Sequence, residues 1–268
     1  MNLSGGETLL KKDIFDFVEL IAQEGIRFSL VTNGFLLNES NARRLADSGL
    51  NVLAISLDSV DEKIHDYIRG RQGACQKVMD AVKYFNRYRG KLQNITIQTV
   101  IMQPNLDKLI DLVIWAHDNQ LSLSFMAITR PNMVPVEIQW YKEEEFSSLW
   151  PNDIQKVNGV IDRIIELKNS GYMIDNPVGQ LERFKLYFSD PEKFARETPC
   201  GLGDGIMHIN PRGDIYICCE MESIGNIKNG NIAGFWNSLK AKNVREQIRL
   251  CKKNCAGMVN CYREKDNK

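Results

Sequence analysis

Six of the seven cysteines in this 268-residue chain fall between positions 200 and 261: Cys200, Cys218, Cys219, Cys251, Cys255 and Cys261. The first two frame a glycine in the pattern CX12GX4C (Cys200, Gly213, Cys218), and the last three read CX3CX5C. Thiolates in two blocks, with a tight hairpin between the first two, can converge on one metal centre. Iron–sulfur cubanes and structural zinc each need four such ligands. Cys219 adjoins Cys218 and reads as a small buried apolar residue, because neighbours on a strand point to opposite faces. Cys75 stands alone at a helix start and reads as buried and inert. No basic leader followed by an apolar run opens the sequence. Reduced thiols and a cytoplasmic location are therefore expected.

Polar residues recur at the ends of apolar runs. Ser4-Gly5-Gly6-Glu7 puts paired glycines next to a carboxylate. Glycines after a strand let backbone approach a ligand closely, and Glu7 either holds an ammonium group or is a solvated turn carboxylate. Thr32-Asn33-Gly34 follows the next run and is first of all a turn signal. Ser56 and Asp58 flank Leu57 at the end of another run, so both polar side chains face one way. Polar groups on the inner face of a parallel sheet need partners, and at the carboxyl ends of strands the partner is often a ligand. A helix N-cap is the competing role for Asp58. Gln98 shares a face with Thr96 and Val100 and is either a ligand contact or bonded within the core. Arg69, ahead of Gly70, either pairs with a carboxylate ligand or is a surface arginine before a turn. His65, His117 and His208 do not cluster and receive no role.

The elements that must position these residues alternate in type. Leu10, Ile14, Phe17, Val18 and Ile21 make a helical stripe over 9–25, and helices are predicted over 38–48, 74–88, from Pro104 through Ala116, and over 153–171. Strands are predicted at 28–34, 51–59, 95–102 and 121–128. Strands separated by helices must pair in parallel, since a parallel connection needs a crossover. Residues 172–199 read as a linker with one short helix, 205–219 as a β-hairpin around Asn210-Pro-Arg-Gly-Asp214, and 232–250 as one helix.

Composition narrows the function classes. The chain is 43% hydrophobic with 34 basic and 34 acidic side chains, which excludes a disordered or collagen-like chain. No apolar run is long enough to span a membrane. Balanced charge provides no general pull toward nucleic acid or a membrane surface. Residues 240–268 hold nine basic and three acidic side chains, a solvated basic face by default. That charge either offsets a thiolate-ligated cluster or docks an acidic electron donor of flavodoxin or ferredoxin type.

In their order along the chain, Gly-Gly-Glu, Thr-Asn-Gly, Ser-Leu-Asp, Ile-Arg-Gly and CX12GX4C with a cysteine-rich tail resemble the radical S-adenosylmethionine (radical SAM) enzymes with a C-terminal SPASM or twitch domain. CX12GX4C is the most specific of these, fitting the CX9–15GX4C opening of that domain. The resemblance implies an α/β fold, a partial radical SAM (β/α)6 barrel over 1–185 followed by a small cysteine-rich twitch/SPASM-like domain over 186–268. Members bind SAM at a [4Fe-4S] cluster, cleave it reductively and use the 5′-deoxyadenosyl radical to take a hydrogen atom from substrate. By resemblance Gly5, Gly6 and Glu7 hold the methionyl amine of SAM, Ser56 and Arg69 contact its ribose or carboxylate, and Asp58 and Gln98 point into the same cavity. Cys200, Cys218, Cys251, Cys255 and Cys261 are the implied ligands of an auxiliary [4Fe-4S] cluster. The implied substrate is a peptide or small metabolite.

Two departures shape the expectation. The CX3CX2C triad that holds the SAM cluster in the family does not occur in the sequence. The chain is therefore expected to be a family member without its N-terminal segment, comprising strands two to six, and not to cleave SAM as written. The tail pattern CX3CX5C implies a twitch-like domain with one auxiliary cluster. The alternatives are a non-catalytic iron–sulfur or electron-transfer module, and a zinc-stabilised structural protein.

Overall fold

A computed structural model describes residues 1–88, 92–130 and 139–262. The chain divides into two compact units, Met1–Met126 with Asn158–Asn176, and Ala127–Val157 with Pro177–Lys268. In chain order the first elements are β1 (Asn2–Leu3), α1 (Ile14–Gln23), β2 (Ser29–Thr32), α2 (Glu39–Asp47), β3 (Val52–Ser56), α3 (Glu62–Arg69), α4 (Ala74–Tyr88), β4 (Asn94–Ile101), α5 (Leu109–Asp118) and β5 (Ser122–Ala127). They are followed by α6 (Glu144–Ser147), α7 (Ile154–Asn169), α8 (Val178–Ser189), α9 (Pro191–Glu197), β6 (His208–Ile209), β7 (Asp214–Tyr216), β8 (Gly225–Asn226), α10 (Ile232–Trp236), α11 (Leu239–Leu250) and α12 (Ala256–Asn260).

The first unit is the parallel α/β sheet that the alternating pattern predicts. Its strands lie in sequence order, β1-β2-β3-β4-β5. Registers such as Thr32↔Ile55 and Ile55↔Ile97 align one set of side chains on one face. Leu30, Leu53, Ile55, Ile97 and Ile101 on that face are fully buried, each worth about 1.5–3 kcal/mol relative to exposure. The opposite face is mixed: Ser29, Val31, Ser56, Gln98 and Val100 are half-buried. At the start of β4 that face is closed by a hydrogen-bonded set. Asn94 donates to Ser122 Oγ at 2.9 Å, Thr96 and Ser122 share a 2.8 Å bond, and Ser122 donates to Asp175 at 3.1 Å. Ser56 and Gln98, register partners, lie farther toward the carboxyl ends.

Turns after the strands are held by specific groups. Gly34 has φ +81°, and a Cβ there would meet Val78 of α4 at 2.7 Å and Ile55 of β3 at 3.2 Å. Both the backbone conformation and the packing therefore require glycine. After β3 the chain is latched by Asp58 and His65. The Asp58 N–H donates to His65 Nδ1 at 3.0 Å, and Asn105 donates to the Asp58 carbonyl at 2.8 Å. Burial, reinforced by the Arg69 charge, depresses His65 to about 4, so the imidazole is neutral.

Several elements differ from the sequence expectation. Helix α3 was not anticipated; Asp61 starts it by accepting the Lys63 N–H at 2.9 Å, and Gly70 at φ 60° ends it. The stretch 172–199 holds two helices rather than one, because Pro191 occupies the first turn of α9 under an Asp190 cap and starts a helix instead of breaking one. Helix α8 buries Leu181, Phe184, Tyr187 and Phe188. The expected helix 232–250 is two, since Asn231 and Ser238 each cap a separate start. The hairpin around Asn210-Pro-Arg-Gly-Asp214 forms as β6 and β7, and β8 extends it to three antiparallel strands.

Gly34→Ala should lower unfolding free energy by about 1–3 kcal/mol through positive φ and overpacking, measured by denaturant titration. His65 binds its proton less tightly in the folded chain than in the unfolded one. Its contribution is complete above the ordinary value of 6.5 and is lost as pH falls from there toward about 4. Thermal melts of His65→Asn should show a shallower loss across that interval than the parent chain.

Candidate functional site

Two sites emerge, one in each unit. In the first unit a cleft of about 440 Å³ is lined by Glu7, Asn33, Phe35, Arg69 and Arg71, among others. Glu7 is fixed before any ligand arrives. Its carboxylate accepts the Leu9 N–H at 3.0 Å, the Thr32 hydroxyl at 2.7 Å and the Asn33 N–H at 2.7 Å. Thr8 adds a 2.6 Å bond from its hydroxyl to the Val31 carbonyl. The Gly-Gly-Glu segment is thereby fastened to the Thr-Asn-Gly turn at the carboxyl end of β2. Gly5 and Gly6 sit exposed just ahead of it, with open space at both Cα positions.

Arg69 reaches the cleft from the last turn of α3, and Asp58 stands behind it. Arg69 Nε lies 2.7 Å from Asp58 Oδ2, with Arg69 about one-third exposed and Asp58 fully buried. The Val100 N–H also donates to Asp58 Oδ1, at 3.1 Å. Burial is the larger effect and holds the Asp58 carboxyl above its ordinary value, against the Arg69 charge and the Val100 bond, which pull it down. The Asp58–Arg69 ion pair orients a guanidinium whose remaining N–H groups are available to an anion in the cleft. Of the predicted set, then, Glu7 and Arg69 line the cleft. Asp58 backs Arg69, and Ser56 and Gln98 stand side by side on the half-buried sheet face. Arg71, whose guanidinium lies 4.8 Å over the Phe35 ring, was not singled out from the sequence. Nor was His65; each is a lone residue whose role comes from neighbours distant in sequence.

In the second unit Cys200, Cys218, Cys251 and Cys255 line one small cavity together with Leu202, Glu220, Met221, Ile248, Lys253 and Met258. The hairpin brings Cys218 there. Gly213 at φ +90° turns the chain where a Cβ would strike Ile227 at 2.9 Å. Ile215, Ile217, Val244 and Ile248 pack into a buried cluster with Cys218, and Cys200 and Cys261 pack against it. Burial pushes the Cys200 and Cys255 thiols up. Strand β7 ends at Tyr216, so Cys218 and Cys219 lie in the turn beyond it, and the strand alternation invoked for Cys219 does not operate. Cys75, in the other unit, is buried with its thiol pushed up to about 11 by burial.

Among the described residues no three His, Cys, Asp or Glu side chains close to the spacing of a single metal ion. A cubane spreads its four thiolates wider than one ion does, and four cysteines around one cavity are the donor set it takes. The four therefore fit a thiolate-ligated cluster. Cys75, the sole cysteine outside the 200–261 block, does not fit a three-thiolate SAM cluster.

Comparison with known proteins bears on both sites. Residues 1–116 match the model of the radical SAM superfamily, and 200–262 match that of the SPASM iron-sulfur cluster-binding domain. The PqqA peptide cyclase of Bradyrhizobium diazoefficiens is 24% identical over 253 residues, 91% of this chain and 61% of that protein. Streptococcus suis SuiB bound to its precursor peptide SuiA superposes with TM-score 0.66 at 15% identity, covering 91% of this chain and 55% of SuiB. The structure of anSMEcpe with AdoMet and the Cp18Cys peptide superposes with TM-score 0.65 at 20% identity, covering 100% of this chain and 77% of that one. The chain thus spans about three-fifths of the PqqA peptide cyclase it matches. The parallel sheet thus carries a radical SAM superfamily match over 1–116, and the cysteine cavity a SPASM iron-sulfur domain match over 200–262.

Proposed function

We propose that this chain is the SAM-holding and auxiliary-cluster part of a peptide-modifying radical SAM protein. Residues 1–185 carry the SAM site and 186–268 the cluster domain. The observation that carries the reading is the gathering of Cys200, Cys218, Cys251 and Cys255 around one cavity. Those four hold one [4Fe-4S] cluster, and Cys261 packs beside them as a neighbour rather than a ligand. When bound, such a cluster supplies one-electron chemistry, and the protein supplies position and electrostatics.

In the cleft, Gly5 and Gly6 let backbone approach SAM and Glu7 faces its methionyl ammonium. Arg69 takes the SAM carboxylate or ribose, with Asp58 holding the guanidinium in place rather than touching the ligand. Ser56 and Gln98 offer polar groups from the sheet face. A peptide substrate is supported by the named relatives, one a peptide cyclase and two solved with peptides bound. The basic stretch 240–268 suits an acidic electron donor of flavodoxin or ferredoxin type. The 268 residues contain no CX3CX2C triad, so by themselves they bind SAM without cleaving it. That same observation favours a second reading, an iron–sulfur binding or electron-transfer module without radical chemistry of its own.

Anaerobic reconstitution should load about four irons per chain, measured by iron and sulfide analysis. Serine at Cys200, Cys218, Cys251 or Cys255 should abolish the cluster, whereas Cys75→Ser, Cys219→Ser and Cys261→Ser should retain it. Stoichiometric zinc without iron uptake would place the chain with zinc-stabilised structural proteins instead.

Equilibrium dialysis with labelled SAM should detect binding that Arg69→Gln weakens by about tenfold or more, as expected for a lost hydrogen bond to a charged group. Dithionite-reduced chain should yield no 5′-deoxyadenosine by chromatography. Detectable product would assign cleavage to these 268 residues, while absence of any SAM binding would favour the electron-transfer reading.

A further inference from the structure

The cavity that gathers the four cysteines has charged residues on its wall. Glu220 and Lys253 line it along with Cys218 and Cys251. Glu220 is 11% exposed, and its carboxylate forms an ion pair with Arg130, which is 7% exposed. Lys253 reaches the same carboxylate at 3.6 Å from an open position, 56% exposed. One buried anion is held between two cations, and only the second cation faces solvent.

Stability alone does not account for such a pair. Exchanging a buried ion pair for well-packed apolar residues is often neutral or stabilising, whereas removing one partner is costly. The charge of the neighbouring cavity offers a different reason. Four thiolates give a cubane net negative charge, and reduction adds to it. Its reduction potential responds to nearby charge, hydrogen bonds and solvent exposure. A charge in a buried wall acts on it more strongly than one at an open surface, because less water screens it.

We propose that the Arg130–Glu220 pair, with Lys253 at its rim, sets the reduction potential of the cluster held by Cys200, Cys218, Cys251 and Cys255; this rests on the cluster assignment above. Glu220 opposes the incoming electron, and Arg130 and Lys253 favour it. Each charge masks the other, so removing either one moves the potential in a direction given by the sign that remains. The three residues are tuning groups and not ligands.

The test is a redox titration of the anaerobically reconstituted 268-residue chain, followed by electron paramagnetic resonance. Glu220→Gln should shift the midpoint upward. Arg130→Gln should shift it downward, and Lys253→Gln downward by less, because that lysine is exposed. Arg130→Lys keeps the charge and should stay near the parent value. Arg130→Gln leaves a buried carboxylate without its closest partner and can fail to fold. The exposed Lys253→Gln and the charge-removing Glu220→Gln then carry the comparison. A purely structural role would change iron content or melting temperature without moving midpoints in opposite directions according to charge. Midpoints of Glu220→Gln and Lys253→Gln equal to that of the parent chain overturn the inference with the cluster assignment intact. If the parent chain takes up no iron, the cluster assignment itself fails and the inference falls with it.

Discussion

The ion pair between the buried Asp58 and the partly exposed Arg69 is the contact on which the first unit's site depends. Asp58 leaves the end of β3 and is gripped from three directions: Val100 from β4, Asn105 from the turn after it, and His65 from α3. A carboxylate taken out of water this completely needs its counter-charge close, and Arg69 at 2.7 Å provides it. The consequence is geometric. Helix α3 is pinned at the carboxyl edge of the sheet, and one guanidinium is presented to the cleft at a fixed position. A second carboxylate, Glu7, joins the preceding strand end to the Gly-Gly turn in a similar way. Two acidic side chains thus do opposite work: one faces the cleft and the other supports a cation that does.

The second unit solves a different problem. Three short antiparallel strands cannot bury much surface, and β6, β7 and β8 contribute only two or three residues each. Ile215, Ile217, Ile224, Val244 and Ile248 supply a small core that includes Cys218, and Cys200 and Cys261 pack against it. Burial pushes the half-buried Cys200 thiol and the buried Cys255 thiol toward protonation. A metal centre that removes those protons would add folding free energy to a unit with little core of its own.

Much of this was legible in residue order. The parallel sheet followed from strands alternating with helices, and helix 74–88 lies over the predicted residues, burying Ala74, Val78, Ala81, Val82 and Phe85. Helix α2 starts at the predicted place, where Asn38 accepts the Asn41 N–H at 2.9 Å. Helix boundaries failed where two caps lay close together. Asn231 and Ser238 split one apparent helix, and Asp190-Pro191 started a helix where proline alone suggested a break. Helix α3 has just three apolar residues, Ile64, Tyr67 and Ile68, in a single short stretch, and the side chain it buries is the polar His65, so its pattern is weak in the sequence.

By itself the sequence determined residue type and spacing: two blocks of thiols, a Gly-Gly-Glu turn, and polar residues at strand ends. Those are local properties, set by chain geometry over a few residues. Only the tertiary structure brings Cys200, Cys218, Cys251 and Cys255 to one cavity, with Cys261 packed against the adjoining core as Cys200 is. It also decided that Asp58 supports Arg69, and that Arg130 meets Glu220 across 90 positions. Such pairings depend on where packing brings distant segments, and the burial that gives a charge its strength exists only once that packing is complete.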